Sequence, residues 1–147
     1  MKRFTSPTQQ KGLQGEKIAL KYLEKQGFSI LETNYTKRIG EIDIVAFHRG
    51  KLHFIEVKTL FYDYCGVSRE TYRGKPYDPW QNVSREKLRR FGRTCELYII
   101  ERNVSRETPW QIDVIAVSVT VELDFSGGGV PRETRHAKVE VVWNVVG

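Results

Sequence analysis

Gly40-Glu41-Ile42-Asp43-Ile44-Val45-Ala46-Phe47, followed after a short turn by Phe54-Ile55-Glu56-Val57-Lys58, decides how this chain reads. Both segments alternate apolar and polar residues, the two-residue period of a half-buried strand. His48-Arg49-Gly50-Lys51 between them supplies a hairpin turn, with Gly giving the backbone freedom such turns need. If Arg49 and Gly50 form the loop, Asp43 falls opposite Glu56 and Glu41 opposite Lys58. Side chains alternate across a strand, so all four are expected to project from one side of the sheet.

Like charges directly opposite on a sheet are destabilising, and opposed β-carbons lie only about 4.5–5.5 Å apart. Two carboxylates that close share a proton or share a cation. Lys58 adds a positive charge beside the pair. Metal-assisted phosphodiester hydrolysis needs these parts: carboxylates to hold Mg²⁺, and a cation near the attacking water or the developing charge. The competing reading is an amphipathic hairpin with a salt-bridged, solvated polar face.

Upstream, Lys11–Gln26 reads as a helix that Gly27 closes. Glu16, Leu20 and Leu23 fall on one stripe, so Glu16 lies on or beside the core-facing side, where an acid is unusual unless paired. Gly15 before it allows another backbone or a ligand to approach closely.

The ordered pattern Gly12-x-x-Gly15-Glu16-x-x-Ala19, Leu23, Gly27-Phe28, Asn34, Gly40-Glu41-Ile42-Asp43 and Phe54-Ile55-Glu56-Val57-Lys58-Thr59 resembles the YraN-type family of small bacterial proteins. That family is placed in the PD-(D/E)xK nuclease superfamily and is similar to archaeal Holliday-junction resolvases. The resemblance runs from Lys11 to Thr59 and resumes more loosely at Val83–Tyr98 and Trp110–Val117. It implies that Asp43 and Glu56 are the two acidic positions of the superfamily core, Lys58 its lysine, and Glu16 the helical glutamate. A lysine of the family falls at Lys87. Two features depart from it: Gln111 and Asp113 stand where Arg-Phe-Asp is often found, which assigns Asp113 to structure, and a long insertion follows Lys58. That insertion either shapes substrate entry or obstructs the cleft.

The chain has 147 residues, enough for one domain with a real core. Its net charge of +6 and pI near 9.4 suit a polyanionic partner. No apolar run approaches a membrane span, and the start lacks the apolar core of a secretory signal. Cys65 and Cys95 read as free thiols of a cytoplasmic protein. His48, His53 and His136 show no zinc-site spacing and read as surface or hairpin residues.

Residues Met1–Gln10 read as disordered, Ser29–Asn34 as a strand, and 60–82 as a long inserted loop rich in aromatics, Gly and Pro. Tyr62, Tyr64, Tyr72, Tyr77 and Trp80, interleaved with Arg69, Arg73 and Lys75, either stack on unpaired bases or pack on their own domain. A second helix follows Ser84, its N-cap, with Leu88, Phe91, Cys95 and Tyr98 as core stripe. Arg85, Lys87, Arg89, Arg90 and Arg93 make its other faces a candidate phosphate-backbone contact, against the alternative of solvated surface charge. Strands are expected at Trp110–Val119 and at Lys138–Val146, the latter with Val139, Val141, Trp143 and Val145 on one face. Ser126-Gly127-Gly128-Gly129 is a flexible connector.

Val-Ser-Arg-Glu-Thr occurs at Val67–Thr71 and Val104–Thr108, Val-Ser-Arg-Glu at Val83–Glu86, and Val-Pro-Arg-Glu-Thr at Val130–Thr134. The Val83–Glu86 copy fits the family pattern; the other three are expected in loops. Uneven spacing excludes a solenoid. The codons GTT-TCA-CGT-GAA-AC encode this peptide and form an inverted repeat, so the repeat is read as a property of the DNA.

The expected fold is α/β and restriction-endonuclease-like: a central mixed β-sheet flanked by α-helices, one nuclease-like domain over 1–147. The expected function is a Mg²⁺- (or Mn²⁺-) dependent endonuclease on DNA, with branched or structured DNA as candidate substrate. Asp43, Glu56 and Glu16 are the candidate metal ligands and Lys58 the water-orienting cation. Glu41 is a partner to Lys58 or a surface strand residue. Symmetric cutting of a junction calls for a homodimer. The alternatives are a nucleic-acid-binding module with the same fold but no catalysis, and an interaction domain whose basic face meets an acidic protein.

Overall fold

A computed structural model describes residues 7–62, 71–72, 75–76 and 84–145. In chain order these form α1 (Pro7–Lys25), β1 (Ser29–Lys37), β2 (Gly40–His48), β3 (Lys51–Tyr62), the short strands β4 (Thr71–Tyr72) and β5 (Lys75–Pro76), α2 (Arg85–Glu101), β6 (Trp110–Asp124) and β7 (Arg132–Val142). One five-stranded sheet runs β1-β2-β3-β6-β7; β4 and β5 pair separately. The β3–β6 pair is parallel and its neighbours antiparallel, so the sheet is mixed. A parallel pair needs a crossover, and α2 lies in that connection. The α/β architecture with a mixed sheet between two helices is the one expected.

Each helix seals one face. Ala19 and Leu23 of α1 pack with Ile44, Ala46, Ile55, Ile115, Val117 and Val119. Phe91, Cys95 and Tyr98 of α2 pack with Ile42, Val45, Leu52, Phe54 and Ile112. The interior strand β6 is therefore covered on both sides, and every residue from Ile112 to Val117 is buried. This stretch of the expected strand is thus packed on both faces.

Local chemistry sets the helix ends. Phe28 N–H donates to Leu23 O (3.0 Å) and Gly27 N–H to Glu24 O (3.0 Å), with Gly27 at φ 87°. This is a Schellman close, with Leu23 and Phe28 as its hydrophobic contact. Ser84 caps α2 by accepting the Lys87 N–H at 3.2 Å. Its buried stripe is Phe91, Thr94, Cys95 and Tyr98, with Leu88 only half-buried. Burial pushes the Cys95 thiol up, so it stays protonated. The far end of α2 is tied to β1: Tyr35 donates to Glu101 (2.6 Å), Lys37 pairs with Glu101 (3.0 Å), and Arg102 forks onto Glu32 (2.8 and 3.1 Å).

Several expectations change. The helix begins at Pro7, so residues 7–10, expected to be disordered, belong to α1; residues 1–6 lie outside the described residues. Leu60–Tyr62 are not loop: they continue β3, paired with Ser118–Thr120 of β6. The rest of the 60–82 insertion lies outside the described residues except for β4 and β5. The last strand starts at Arg132 and ends at Val142. Val139 and Val141 pack toward α1, but Asn144, at φ 54°, turns the chain so that Val145 joins the α2 layer.

His53 is not a surface residue. It is 6 % exposed, and its Nδ1 stands 2.6 Å from Oδ2 of the fully buried Asp113. Asp113 also accepts from Gln111 Nε2 (2.6 Å) and the Asn144 N–H (2.8 Å). Phe28 stacks between His48 and Trp143, with ring centroids 4.1 and 5.7 Å away. Asp113 is thus structural, as expected, in a cluster that joins β3, β6 and the chain end. Among the described residues no helix is long and apolar enough to cross a membrane.

Candidate active site

The hairpin forms in the expected register: Ile44 faces Ile55, and Phe47 faces Leu52. Arg49 and Gly50 both take positive φ, 49° and 75°, as a tight two-residue turn requires. The ladder then stops at Ile44–Ile55. Beyond it β2 stays with β1, where Glu41 faces Thr36, and β3 stays with β6, where Glu56 faces Val114 and Lys58 faces Ala116. The sheet forks, and Asp43 stands at the fork. Its Oδ2 accepts the Val57 N–H at 2.8 Å, so a side chain replaces the missing backbone partner.

Glu41 and Lys58 are therefore not cross-strand partners, and strict alternation through all four polar residues does not hold. Ile42 joins the α2 layer and Ile44 the α1 layer, so the strand inverts across Asp43. On β3, Val57 packs toward α1 and Thr59 abuts Gly15, which places Glu56 and Lys58 on the opposite face. Lys58 Nζ lies 2.8 Å from Glu56 Oε1, both half-buried. Glu16 reaches the fork from α1 and accepts from Asn34 Nδ2 at 2.8 Å.

Asn34 itself has φ 53°, between the pairs Thr33–Ile44 and Tyr35–Ile42, which puts it across from Asp43. Asparagine tolerates this left-handed conformation better than most residues. Sequence reasoning gave Asn34 no role; its signal was an asparagine where strand-forming residues are expected.

The fork is electrostatically strained. Asp43 is held up from 3.8 to about 6, first by burial and then by the charges of Glu56, Glu16 and Glu41, against the lowering effect of the Val57 N–H. Glu16 is also raised, by burial and by Glu41, with the Asn34 bond opposing. Glu41 thus acts on the site through its charge, from β2.

Gly15 sets how close Glu16 comes. A β-carbon there would stand 2.7 Å from Thr59 Cβ and overlap the Thr59 hydroxyl. Gly15→Ala is expected to cost about 1–3 kcal/mol through overpacking. Thr59→Ala in the same chain should return part of that loss. Urea denaturation of both single variants and the double reads the coupling; additive losses would show that the contact is not the cause.

The carboxylate oxygens fit a hard divalent cation in chemistry. Among the described residues, however, no three His, Cys, Asp or Glu groups already stand together as an ion's ligands. Glu56 leans on Lys58 and Glu16 on Asn34, so binding an ion requires those two carboxylates to turn.

Arg85, Lys87, Arg89, Arg90 and Arg93 are all exposed on α2. Arg85, Arg89 and Arg93 line an open groove of about 800 Å³ with Trp110, Gln111 and Asn144. Lys87 and Arg90 are not among the residues lining it, and Arg90 meets Glu86 at 3.4 Å. Leu52 and Phe54 face α2, so by alternation the groove and the Glu56–Lys58 pair share one side of the sheet.

The signature of the uncharacterised protein family UPF0102 matches residues 15–122, a span that holds α1 from Gly15 onward, the fork, α2 and most of β6. The chain belongs to this family. A UPF0102 protein of Campylobacter jejuni is 36% identical over 106 residues, 72% of this chain and 81% of the relative. One from Campylobacter fetus is 35% identical over the same length. One from Caldanaerobacter subterraneus is 33% identical over 111 residues, 76% of this chain and 81% of its own. All four residues of the fork, and Glu41, lie inside the UPF0102 match.

Proposed function

We propose that this protein is a Mg²⁺- or Mn²⁺-dependent endonuclease that hydrolyses phosphodiester bonds in branched or otherwise structured DNA. The observation that carries the reading is the fork. Asp43 sits where β2 and β3 part, among three other carboxylates, with its acidity already weakened first by burial and then by their charges. A site that gathers negative charge against its own stability is suited to a cation. Asp43, Glu56 and Glu16 would hold the ion, which supplies charge neutralisation and a more acidic bound water. Lys58, 2.8 Å from Glu56, would orient the attacking water and stabilise charge developing on the phosphate. Glu41 adds negative charge beside Glu16 and Asp43. Arg85, Arg89 and Arg93 would hold the backbone along their groove, with Trp110 as a stacking surface. A symmetric four-way junction would be cut by two copies of the chain.

One observation favours a second reading, a DNA-binding module without catalysis: the carboxylates are engaged by Lys58 and Asn34 rather than gathered around a common point. Adding Mg²⁺ or Mn²⁺ to wild type and to Asp43→Asn, with linear, flapped and four-way-junction DNA, separates the two. Metal-dependent cutting that disappears in the variant establishes the nuclease and its substrate class. No cutting, with DNA affinity indifferent to metal, leaves the binding module.

Arg89→Ala with Arg93→Ala is expected to weaken binding of all DNA sequences alike. The dependence of log affinity on log salt should flatten by about two. A titration over several salt concentrations checks this; an unchanged slope would place the contact elsewhere.

A further inference from the structure

The Val-Ser-Arg-Glu-Thr copies occupy unrelated settings. Ser84-Arg85-Glu86 caps and opens α2. Val104–Thr108 makes the turn into β6, where Thr108 N–H donates to Ser105 O (3.0 Å) and Glu107 N–H to Ser105 Oγ (3.3 Å). Val130–Thr134 leaves a turn and enters β7, where Arg132 faces Asp124 and Thr134 faces Glu122. This copy, expected in a loop, is half strand. The copy at Val67–Thr71 lies outside the described residues apart from Thr71. Helix start, turn and strand share no backbone conformation. Arg85, Arg106 and Arg132 are each exposed, on different elements. A peptide repeated for a task in the protein would repeat a conformation or a contact, and among the described residues this one repeats neither.

The codons open to this peptide do share something. Val begins GT and Thr begins AC, which are complementary when read in opposite directions. Ser as TC answers Glu as GA in the same way, and Arg as CG is its own complement. With Ser written as TC and Arg as CG, the first two bases of these codons already form an inverted repeat, and only third positions remain to close it, as in GTT-TCA-CGT-GAA-AC. Written in those codons, Pro131 in place of Ser would need one base change, TCA to CCA; the Val83–Glu86 copy, whose Lys87 also fits the family pattern, would differ by one base, AC to AA.

We propose that these peptides are the translation of an inverted-repeat DNA element in the gene, retained because a two-fold-symmetric DNA-binding protein occupies it. A palindromic site mirrors the symmetry of a dimer that reads one half-site with each subunit. The two arms meet without a spacer, so a transcript has no loop to close a stable hairpin, whereas duplex DNA offers two identical half-sites. The protein tolerates the copies because most of the described residues in them are exposed and the rest, Val104 among them, are only half-buried, where inserted residues disturb little. This inference is independent of the nuclease reading.

The coding strand is the first test. The same third bases in every copy are expected; scattered synonymous codons overturn the proposal. Dimethyl sulfate footprinting of the gene in growing cells then reads occupancy. Protection is expected symmetrically about each central CG, and it should vanish when all copies are recoded synonymously with the protein unchanged. Unprotected native elements overturn the binding half of the proposal. On the protein side, Arg106→Ala with Arg132→Ala should leave the melting temperature and DNA affinity unchanged. A loss of affinity beyond about threefold, more than a single phosphate contact at the surface normally gives, would return the repeat to the protein.

Discussion

Asp43→Asn is expected to abolish metal-dependent cleavage, by about 10³-fold or more, while making the fold more stable at pH 8. The two effects have one cause. Asp43 is raised to about 6 by burial and by Glu56, Glu16 and Glu41, so its ionised form is disfavoured in the folded chain. The folded state therefore keeps a proton that the unfolded state has released. Stability falls as pH rises from about 4 to about 6, and the full penalty stands above that. The rise from 3.8 to about 6 sets an upper bound of about 3 kcal/mol on that penalty. Asparagine cannot ionise and still offers an oxygen to the Val57 N–H, so about 1–2 kcal/mol should be regained, roughly 3–6 °C in melting temperature. At pH 4 Asp43 is protonated in the folded chain and the gain should disappear. Mg²⁺ should raise the wild-type melting temperature at pH 8 and leave that of the variant unmoved. Thermal melts at both pH values decide it: a variant less stable than wild type at pH 8 would mean that the fork is not charge-strained.

Asp113→Ala is expected to be the most damaging single change, at about 3–5 kcal/mol, or on the order of 10 °C in melting temperature. Asp113 is fully buried and engages His53, Gln111 and the Asn144 N–H at 2.6, 2.6 and 2.8 Å. Its loss strands three polar groups in or beside the core, and each carries its own desolvation cost. Asp113→Asn keeps oxygen acceptance on one side and should cost less. Whatever fraction remains folded should still cleave in a metal-dependent way, because His53 packs with Phe28 at the hairpin end and not at the fork. Urea denaturation with an activity assay on the folded fraction checks both statements. A loss below about 1 kcal/mol would show that water or relaxed packing replaces the carboxylate.

The motif residues were legible because each was announced by its nearest neighbours. The period-2 pattern and the Arg49-Gly50 turn specified the hairpin register; Ser84 announced its helix, as Gly27 announced the end of the first. Glu16 stood out as an acid on the core side of a helix. Asn34, which holds Glu16, did not, because its partner lies on another element and its unusual backbone depends on what it faces. His53 was misread for a related reason: the hairpin alone leaves it exposed, and Asp113 reaches it only through the parallel β3–β6 pairing, sixty positions away.

By itself the sequence determined the two helices, the hairpin with its register and the residues available for chemistry, since these depend on periodicity, caps and turn conformations within a few residues. Only the tertiary structure decided where the β2–β3 ladder stops. Asp43 takes the Val57 N–H and β6 takes the other edge of β3, so the strands part there. That competition between a side chain and a backbone for one donor is settled by packing from both faces. It turns a charged hairpin into a fork with Asp43 at its centre.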